Sequence, residues 1–310
     1  MTAGPIGRGW RPELAVAGAV ALAVTVVFGA GCASSKPTTG GRVRVVAAEN
    51  TWGDVARQVG GARADVTSLI SDARADPHLF DPTARDSGAV ADADVVVANG
   101  LGYDDFVGRL VDSTSSPGRV VLTVADVLGV HGHDANPHLW YDVARVPEVA
   151  LAIERALGRV DPPHRSVYAA NRDAFDRSLA PVLATLRSIR RSFAGSPVAS
   201  TERVAEPMLR SAGLRVVTPP GFARAVEDGT EPSPRDVQRM ERLLRGHRVR
   251  ALVLDAQATS VATDRMRALA HRSRIPVVTV TETLPVGAAS YQAWQLRQAR
   301  ELRGALEQSS

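Results

Sequence analysis

Short runs of apolar and β-branched residues alternate along most of this chain with longer segments in which apolar residues recur at helical spacing. This alternation is typical of α/β proteins. The strands predicted for the first half lie at 43–47, 65–70, 94–98 and 120–124. Those predicted for the second half lie at 198–200, 214–218, 251–255 and 277–280. The helices predicted between and after them lie at 53–59, 84–91, 104–111, 203–212, 234–245, 263–271 and 290–307. The sequence shows no internal repeat that makes the second half a copy of the first.

The middle of the chain has a different pattern, because two predicted helices at 147–157 and 163–193 follow each other without a strand. A helix of about 30 residues is about 45 Å long, which is longer than one lobe requires. The pattern therefore predicts an α/β fold of two lobes joined by a long rigid helix. The predicted lobes are 43–145 and 195–310, with the helical connection at 146–194.

The amino terminus has the pattern of a secretory signal. Two arginines, Arg8 and Arg11, precede an apolar run at 14–28 that is too short for a comfortable membrane span. The small residues Gly29-Ala30-Gly31 then precede Cys32, the only cysteine, and this segment resembles a lipobox. We predict a signal peptide at 1–31, a diacylglycerol on Cys32 and a flexible tether at 32–42. The alternative is a free or buried cysteine.

Composition and charge exclude few classes of function. The chain has 310 residues, of which 45% are hydrophobic and 23% are charged, so a folded protein with two cores is expected. Its net charge of +4 comes from arginines that are interspersed with Asp and Glu rather than clustered. Nucleic acid is therefore not a predicted partner.

Two Pro-His pairs are the most specific chemical feature of the sequence. Asp-Pro-His-Leu-Phe contains His78, and Asn-Pro-His-Leu-Trp contains His138. Proline fixes its own φ and restricts the residue before it, so each histidine follows a stiff segment. Imidazole is a preferred ligand of zinc and other late divalent ions. Either histidine alone could instead stabilise a neighbouring turn, but the pair indicates a metal site.

Acidic residues follow two predicted strands of the second half, where ligands of open α/β sheets collect. Glu202 follows the strand at 198–200, and Glu282 follows the strand at 277–280. Asp255 and Gln257, at the end of another strand, are rival ligands or second-shell partners. Glu202 has an alternative role in the first turn of the helix predicted at 203–212, and Glu282 has one as a solvated acid.

These motifs together resemble the solute-binding lipoproteins of bacterial ABC importers for zinc and manganese, the cluster A-I or TroA-like superfamily. The resemblance covers nearly the whole chain after the predicted signal peptide. It rests on Ala48-Glu49-Asn50-Thr51-Trp52-Gly53-Asp54-Val55-Ala56, both Pro-His loops, Tyr168 and Asn171 of the long helix, and Thr281-Glu282-Thr283-Leu284-Pro285.

The resemblance implies a metal site in the cleft between the lobes, with His78, His138, Glu202 and Glu282 as ligands. It also implies a protein lipid-anchored on the extracytoplasmic face of the cell membrane, monomeric, that delivers Zn²⁺ or Mn²⁺, or alternatively Fe²⁺, to a membrane permease. Zinc-selective members often have a third histidine where this chain has Glu202, so the ligand set leaves the metal open. His131 and His133 resemble a short version of the His-rich loop of some zinc-binding members, and their alternative role is that of a solvated loop.

Two other functions fit a site of two histidines and carboxylates. One is a metalloenzyme, in which a carboxylate beside a metal-bound water acts as general base. The other is an adhesin-like surface protein with a structural metal. The sequence lacks a recognisable nucleophile motif or cofactor loop, which favours the transport receptor over an enzyme.

Overall fold

A computed structural model describes residues 1, 41–71 and 80–309 of this chain. The predicted signal peptide, Cys32, most of the tether and the loop with His78 therefore lie outside the described residues. No helix of the described ranges is long and apolar enough to span a membrane.

Two four-stranded parallel sheets form the framework, as the alternating pattern predicts. The first sheet has the strand order β2-β1-β3-β4 and the second the order β6-β5-β7-β8, so the two halves share one topology. The strands of the first sheet are β1 (Val43–Glu49), β2 (Ala64–Ile70), β3 (Val95–Ala98) and β4 (Val120–Thr123). Those of the second are β5 (Pro197–Ser200), β6 (Arg215–Val216), β7 (Leu252–Asp255) and β8 (Val277–Val280).

Helices follow most strands, as parallel sheets require. In the first half these are α1 (Asn50–Gly60), α2 (Ala84–Asp92), α3 (Asp105–Ser113) and the short α4 (Val124–Val127). The connection contains α5 (Val146–Val160), α6 (Arg165–Ser178) and α7 (Ala180–Phe193). The second half contains α8 (Glu206–Ser211), α9 (Pro220–Glu227), α10 (Pro234–Arg245), α11 (Val261–Arg272) and α12 (Tyr291–Gln308). Helices α4 and α9 were not predicted from the sequence, and α8 begins three residues later than predicted.

The long helix predicted at 163–193 is present as two consecutive helices of 14 residues each. Leu179 separates them in a right-handed helical conformation, with φ −77° and ψ −14°. Pro181 then occupies the first turn of α7, where its missing N–H leaves no hydrogen bond unmade. The proline therefore explains why the helix is divided at this point.

One hydrophobic core runs through both sheets. It includes Val45 and Val97 of the first sheet, Val253 and Val280 of the second, and Leu186 of the connecting helix α7. Two smaller clusters cover the outer faces, one around Val96 and Phe106 and the other around Leu252 and Met266. Because the shared core continues between the sheets, the loops at their carboxyl ends have a common support.

A tight turn follows β3 and has three consecutive residues with positive φ: Gly100 (84°), Leu101 (60°) and Gly102 (83°). The Asp104 carboxylate holds this turn, since it accepts hydrogen bonds from the backbone N–H groups of Asn99 at 2.6 Å and Gly100 at 2.7 Å. A Cβ at position 100 would lie 2.7 Å from Cγ2 of Thr123, whereas one at position 102 meets nothing within 4 Å.

We expect Gly100→Ala to destabilise the protein by about 2–3 kcal/mol and Gly102→Ala by about 1 kcal/mol. Both substitutions strain a positive φ, but only the first adds a collision with Thr123. Urea unfolding of the two variants measures the difference. Equal losses would show that the contact with Thr123 relaxes without cost.

Candidate metal centre

Three carboxyl groups of the second half converge in the interior. Glu202 follows β5 by two residues, Asp255 ends β7, and Glu282 follows β8 by two residues. One ligand atom from each lies within 4.8 Å of the others. The three side chains are 1–2% exposed. The carboxyl ends of neighbouring parallel strands thus bring together residues that are 80 positions apart in the sequence.

His138 joins this group from the first half. Its ring is completely buried, and its Nε2 lies 3.3 Å from Oε2 of Glu282. Its Nδ1 lies 2.9 Å from Oδ1 of Asn136, an oxygen that also accepts the backbone N–H of His138. Because Oδ1 can only accept, Nδ1 carries a proton, which makes Nε2 the ring atom available to a metal. A metal-ligating histidine needs this tautomer and this kind of second hydrogen bond.

The structure therefore brings together three of the four predicted ligands, His138, Glu202 and Glu282, and adds Asp255, which the sequence analysis ranked as a rival. The fourth, His78, lies outside the described residues. The proposed alternative for Glu202 is not supported, because α8 begins four residues after it, at Glu206. Glu282 is buried, so it is not a solvated acid.

Gln257 also reaches the site, but as a support for other residues. Its Oε1 accepts the backbone N–H of Glu282 at 2.7 Å and that of Thr283 at 3.2 Å. Its own N–H donates to Oδ1 of Asp255 at 3.1 Å. One amide side chain thus fixes the backbone that carries Glu282.

His131 and His133 do not belong to this cluster. They line a surface hollow of about 560 Å³ together with Asp105 and Asp126. Their predicted part in metal capture remains a prediction.

Tyr103 is a site residue that the sequence analysis missed. Its hydroxyl donates a 2.7 Å hydrogen bond to Oε2 of Glu282, and its ring packs edge-on against His138 and Trp140. The turn at Gly100–Gly102 positions it, and the neighbouring Asn99 donates to the carbonyl of Pro137 at 2.8 Å. The signal was the Gly-Leu-Gly-Tyr-Asp sequence after a strand, which predicts a constrained turn at a sheet's carboxyl end.

Hydrogen bonds between the two halves surround the cluster. Asn136 donates to the carbonyl of Arg203, next to Glu202, at 2.8 Å. The side chain of Asn50 makes two bonds with the backbone of Leu284, at 2.9 and 3.0 Å. The Tyr141 hydroxyl donates to the carbonyl of Thr281, next to Glu282, at 2.7 Å. The loops of Glu202 and Glu282 are thus tied to the first half beside their carboxylates.

The electrostatics of the cluster are unfavourable without a cation. Burial, followed by the negative charges of Asp255 and Glu282, raises the pKa of Glu202 well above its usual range. Burial also raises the pKa of Asp255 to about 7. Arg203 does not relieve this, because its guanidinium pairs with Glu227 at 2.6 Å. Within 41–71 and 80–309, neither Glu202 nor Asp255 forms an ion pair with a basic side chain.

Comparison with known proteins identifies the family to which this chain belongs. The sequence profile of the family described as zinc-uptake complex component A, periplasmic (ZnuA), matches residues 45–305. The chain therefore belongs to the ZnuA family.

Individual relatives agree with this assignment. The chain is 32% identical over 163 residues to the manganese-binding lipoprotein MntA of Halalkalibacterium halodurans, a match that covers 51% of this chain and 54% of MntA. It is 21% identical over 281 residues to the metal ABC transporter substrate-binding lipoprotein FimA of Streptococcus parasanguinis, covering 84% and 87% of the two chains. The match to MntA and that to PsaA of Streptococcus pneumoniae each span about half the length of the relative.

Solved structures share the fold. The substrate-binding protein FpvC of Pseudomonas aeruginosa, in complex with Mn²⁺, superposes with a TM-score of 0.71 at 23% identity, over 87% of this chain and 100% of that one. A periplasmic metal-binding protein of Candidatus Liberibacter asiaticus superposes with a TM-score of 0.70 at 17% identity, over 86% of this chain and 100% of that one. The two-sheet α/β architecture predicted from the sequence is confirmed.

The raised pKa values predict how the stability of the metal-free protein depends on pH. The folded state holds protons on Glu202 and Asp255 that the unfolded chain, with carboxyl pKa values near 4, has already released. This contribution is fully present below about pH 4 and is lost as the pH rises toward 7 and beyond. Glu202→Gln keeps the neutral shape at every pH, so we expect its melting temperature to exceed that of wild type by a few degrees at pH 8 but not at pH 5.

Thermal unfolding in the presence of a chelator, measured from pH 5 to pH 8, tests this. Glu307→Gln, at an exposed position of α12, serves as the control and should show no difference that grows with pH. A Glu202→Gln variant that is less stable than wild type at pH 8 would contradict the expectation.

Proposed function

We propose that this chain is the extracytoplasmic substrate-binding protein of an ABC importer and that its cargo is a divalent transition metal ion, zinc or manganese. The observation that carries the proposal is the set of buried donors in the interior: His138, Glu202, Asp255 and Glu282 are all at most 2% exposed. Membership of the ZnuA family and the names of MntA, FimA and FpvC support it.

The proposed ligands are His78, His138, Glu202 and Glu282. His138 is in the correct tautomer, and the two carboxylates supply a charge of −2 that neutralises a divalent ion. His78 is included because of the family resemblance of its Asp-Pro-His-Leu-Phe loop. Two neutral imidazoles and two carboxylates suit zinc as well as manganese or ferrous iron, so these four residues leave the metal open.

The burial of the site supports binding rather than catalysis. A catalytic metal keeps an open coordination position that a substrate can reach. Here the described donors are covered, and the loops beside them are joined by hydrogen bonds between the two halves. An ion that enters such a site is enclosed, and its release requires the contacts of Asn136, Tyr103 and Asn50 to break.

The location and the partners belong to the same proposal. We propose that Cys32 carries the lipid anchor at the cell membrane, that the protein acts as a monomer, and that it hands the ion to a membrane permease. Val286, which is 93% exposed, lies in the loop that follows Glu282, so an apolar side chain is available to a partner at the edge of the site.

Calorimetric titration of the chelator-treated full chain with Mn²⁺ and Zn²⁺ tests the ligands. We expect one ion per chain in wild type, and a loss of more than about 100-fold in affinity for His78→Ala, His138→Ala and Glu282→Gln. Residues that only orient ligands typically contribute 10- to 100-fold. His271→Gln, at an exposed position of α11, should bind like wild type. Unchanged affinity in Glu282→Gln or His138→Ala would refute the proposed site.

Tyr103 provides a separate test of how the site is positioned. Tyr103→Phe removes the hydroxyl that donates to Glu282 but keeps the ring that packs against His138. We expect affinity to fall by about tenfold, at the lower end of the range for outer-shell partners. Metal titration is again the measurement, with Tyr168→Phe as the control, since the Tyr168 hydroxyl donates to Asp161 away from the site. A loss of the same size in Tyr168→Phe would show that the effect is not specific to the site.

A further inference from the structure

Asp255 is buried in a way that a purely structural aspartate is not. Its side chain is 1% exposed, and Oδ1 accepts the backbone N–H of Gln257. Its other oxygen, Oδ2, is completely buried and accepts no hydrogen bond from a nitrogen of the described residues, and the Asp255 carboxyl group interacts instead with the carboxyl group of Glu202. A buried carboxylate that is surrounded by other carboxyl groups is costly, so it needs an explanation.

Other buried aspartates of this protein show what a structural role looks like. Both oxygens of Asp104 accept backbone N–H groups, those of Asn99 and Gly100. Asp161 accepts hydrogen bonds from the Tyr168 hydroxyl and from His164. Asp255 differs from both, because a backbone N–H holds one of its oxygens while its carboxyl group also belongs to the cluster with Glu202 and Glu282.

One residue, Gln257, contacts both Asp255 and Glu282. It donates to Oδ1 of Asp255 through its backbone and accepts the backbone N–H of Glu282 through its side chain. The carboxylate of Asp255 and the backbone that carries Glu282 are therefore held by the same residue. Glu202, whose carboxyl group lies against that of Asp255, completes a face of three carboxylates.

We propose that Asp255 is a direct metal ligand in addition to Glu282, so that the second half supplies three carboxylates, and that this third carboxylate selects Mn²⁺ or Fe²⁺ over Zn²⁺. This inference rests on the proposed function. Zinc is satisfied by four ligands in a tetrahedron, whereas manganese and ferrous iron take five or six and accept carboxylate oxygen readily. Three carboxylates carry a charge of −3, which also disfavours a monovalent ion.

Asp255→Asn is the appropriate variant, because Asn retains an oxygen that can accept the N–H of Gln257 and lacks only the charge and the second acceptor. We expect its affinity for Mn²⁺ to fall at least tenfold more than its affinity for Zn²⁺ in calorimetric titrations of the full chain. Bound Co²⁺ provides a second readout, since its visible absorption is much stronger with four ligands than with five or six. We expect the Asp255→Asn complex to absorb more strongly than the wild-type complex.

The outcomes separate the two proposals. If Glu282→Gln loses binding while Asp255→Asn keeps wild-type affinity for both ions, the ABC-receptor site stands and Asp255 is not a ligand. Equal losses for Mn²⁺ and Zn²⁺ with an unchanged Co²⁺ spectrum would likewise overturn its role as a ligand. If wild type binds none of the three ions, the proposed function itself fails. Asp264→Asn, an exposed aspartate of α11 that pairs with Arg267, is the control and should match wild type in every titration.

Discussion

The burial of three carboxyl groups within 4.8 Å of one another is the constraint on which the rest of this structure depends. Taking an ionised carboxylate out of water costs several kcal/mol, and placing a second and a third beside it adds repulsion. The folded protein reduces this cost by keeping protons on Glu202 and Asp255, whose pKa values are raised. The divalent cation that we propose for this site would remove the same cost by replacing the protons, so protons and cation would compete for the same carboxylates.

A cluster of this kind persists only where the surrounding structure holds it in place. Because the two sheets share one strand order, the loops that carry the acidic residues lie at the carboxyl ends of neighbouring strands. The hydrophobic core that the two sheets share holds the carboxyl edges of both sheets together. Hydrogen bonds then fix individual ligands. Asn136 holds the ring of His138, Gln257 holds the backbone N–H of Glu282, and the Tyr103 hydroxyl donates to the carboxylate of Glu282. The scaffold thus supplies geometry but little positive charge, which leaves the charge of the cluster for a bound ion to neutralise.

The sequence predicted much of this arrangement, and particular residues show where the prediction ended. Glu202 and Glu282 follow strands whose apolar runs are unambiguous, so their position at a sheet edge could be inferred. Asp255 was predicted only as a rival ligand because strand-end position does not reveal which groups surround a carboxylate, and its place beside Glu202 and Glu282 distinguishes it from Asp104. Tyr103 was missed because its contact with Glu282 joins residues 179 positions apart. The shared topology of the two halves could not be predicted from the sequence either, because the order of parallel strands is set by tertiary packing and not by the local pattern of residues.

The hydrogen bonds between the halves and the bound ion stabilise the same closed arrangement, so each must favour the other. An ion that binds only the closed form adds a free energy of RT ln(1 + [L]/Kd), about 2.7 kcal/mol when its concentration is 100 times Kd. The contacts of Asn136 and Asn50 contribute to closure even when the ion is absent, which lowers the free energy that the ion has to supply. Release of the ion requires the site to open. A partner that opens it must overcome both the binding free energy of the ion and the hydrogen bonds between the halves. Tyr103 lies where they meet, because its hydroxyl belongs to one half and its acceptor, Glu282, is a proposed ligand from the other.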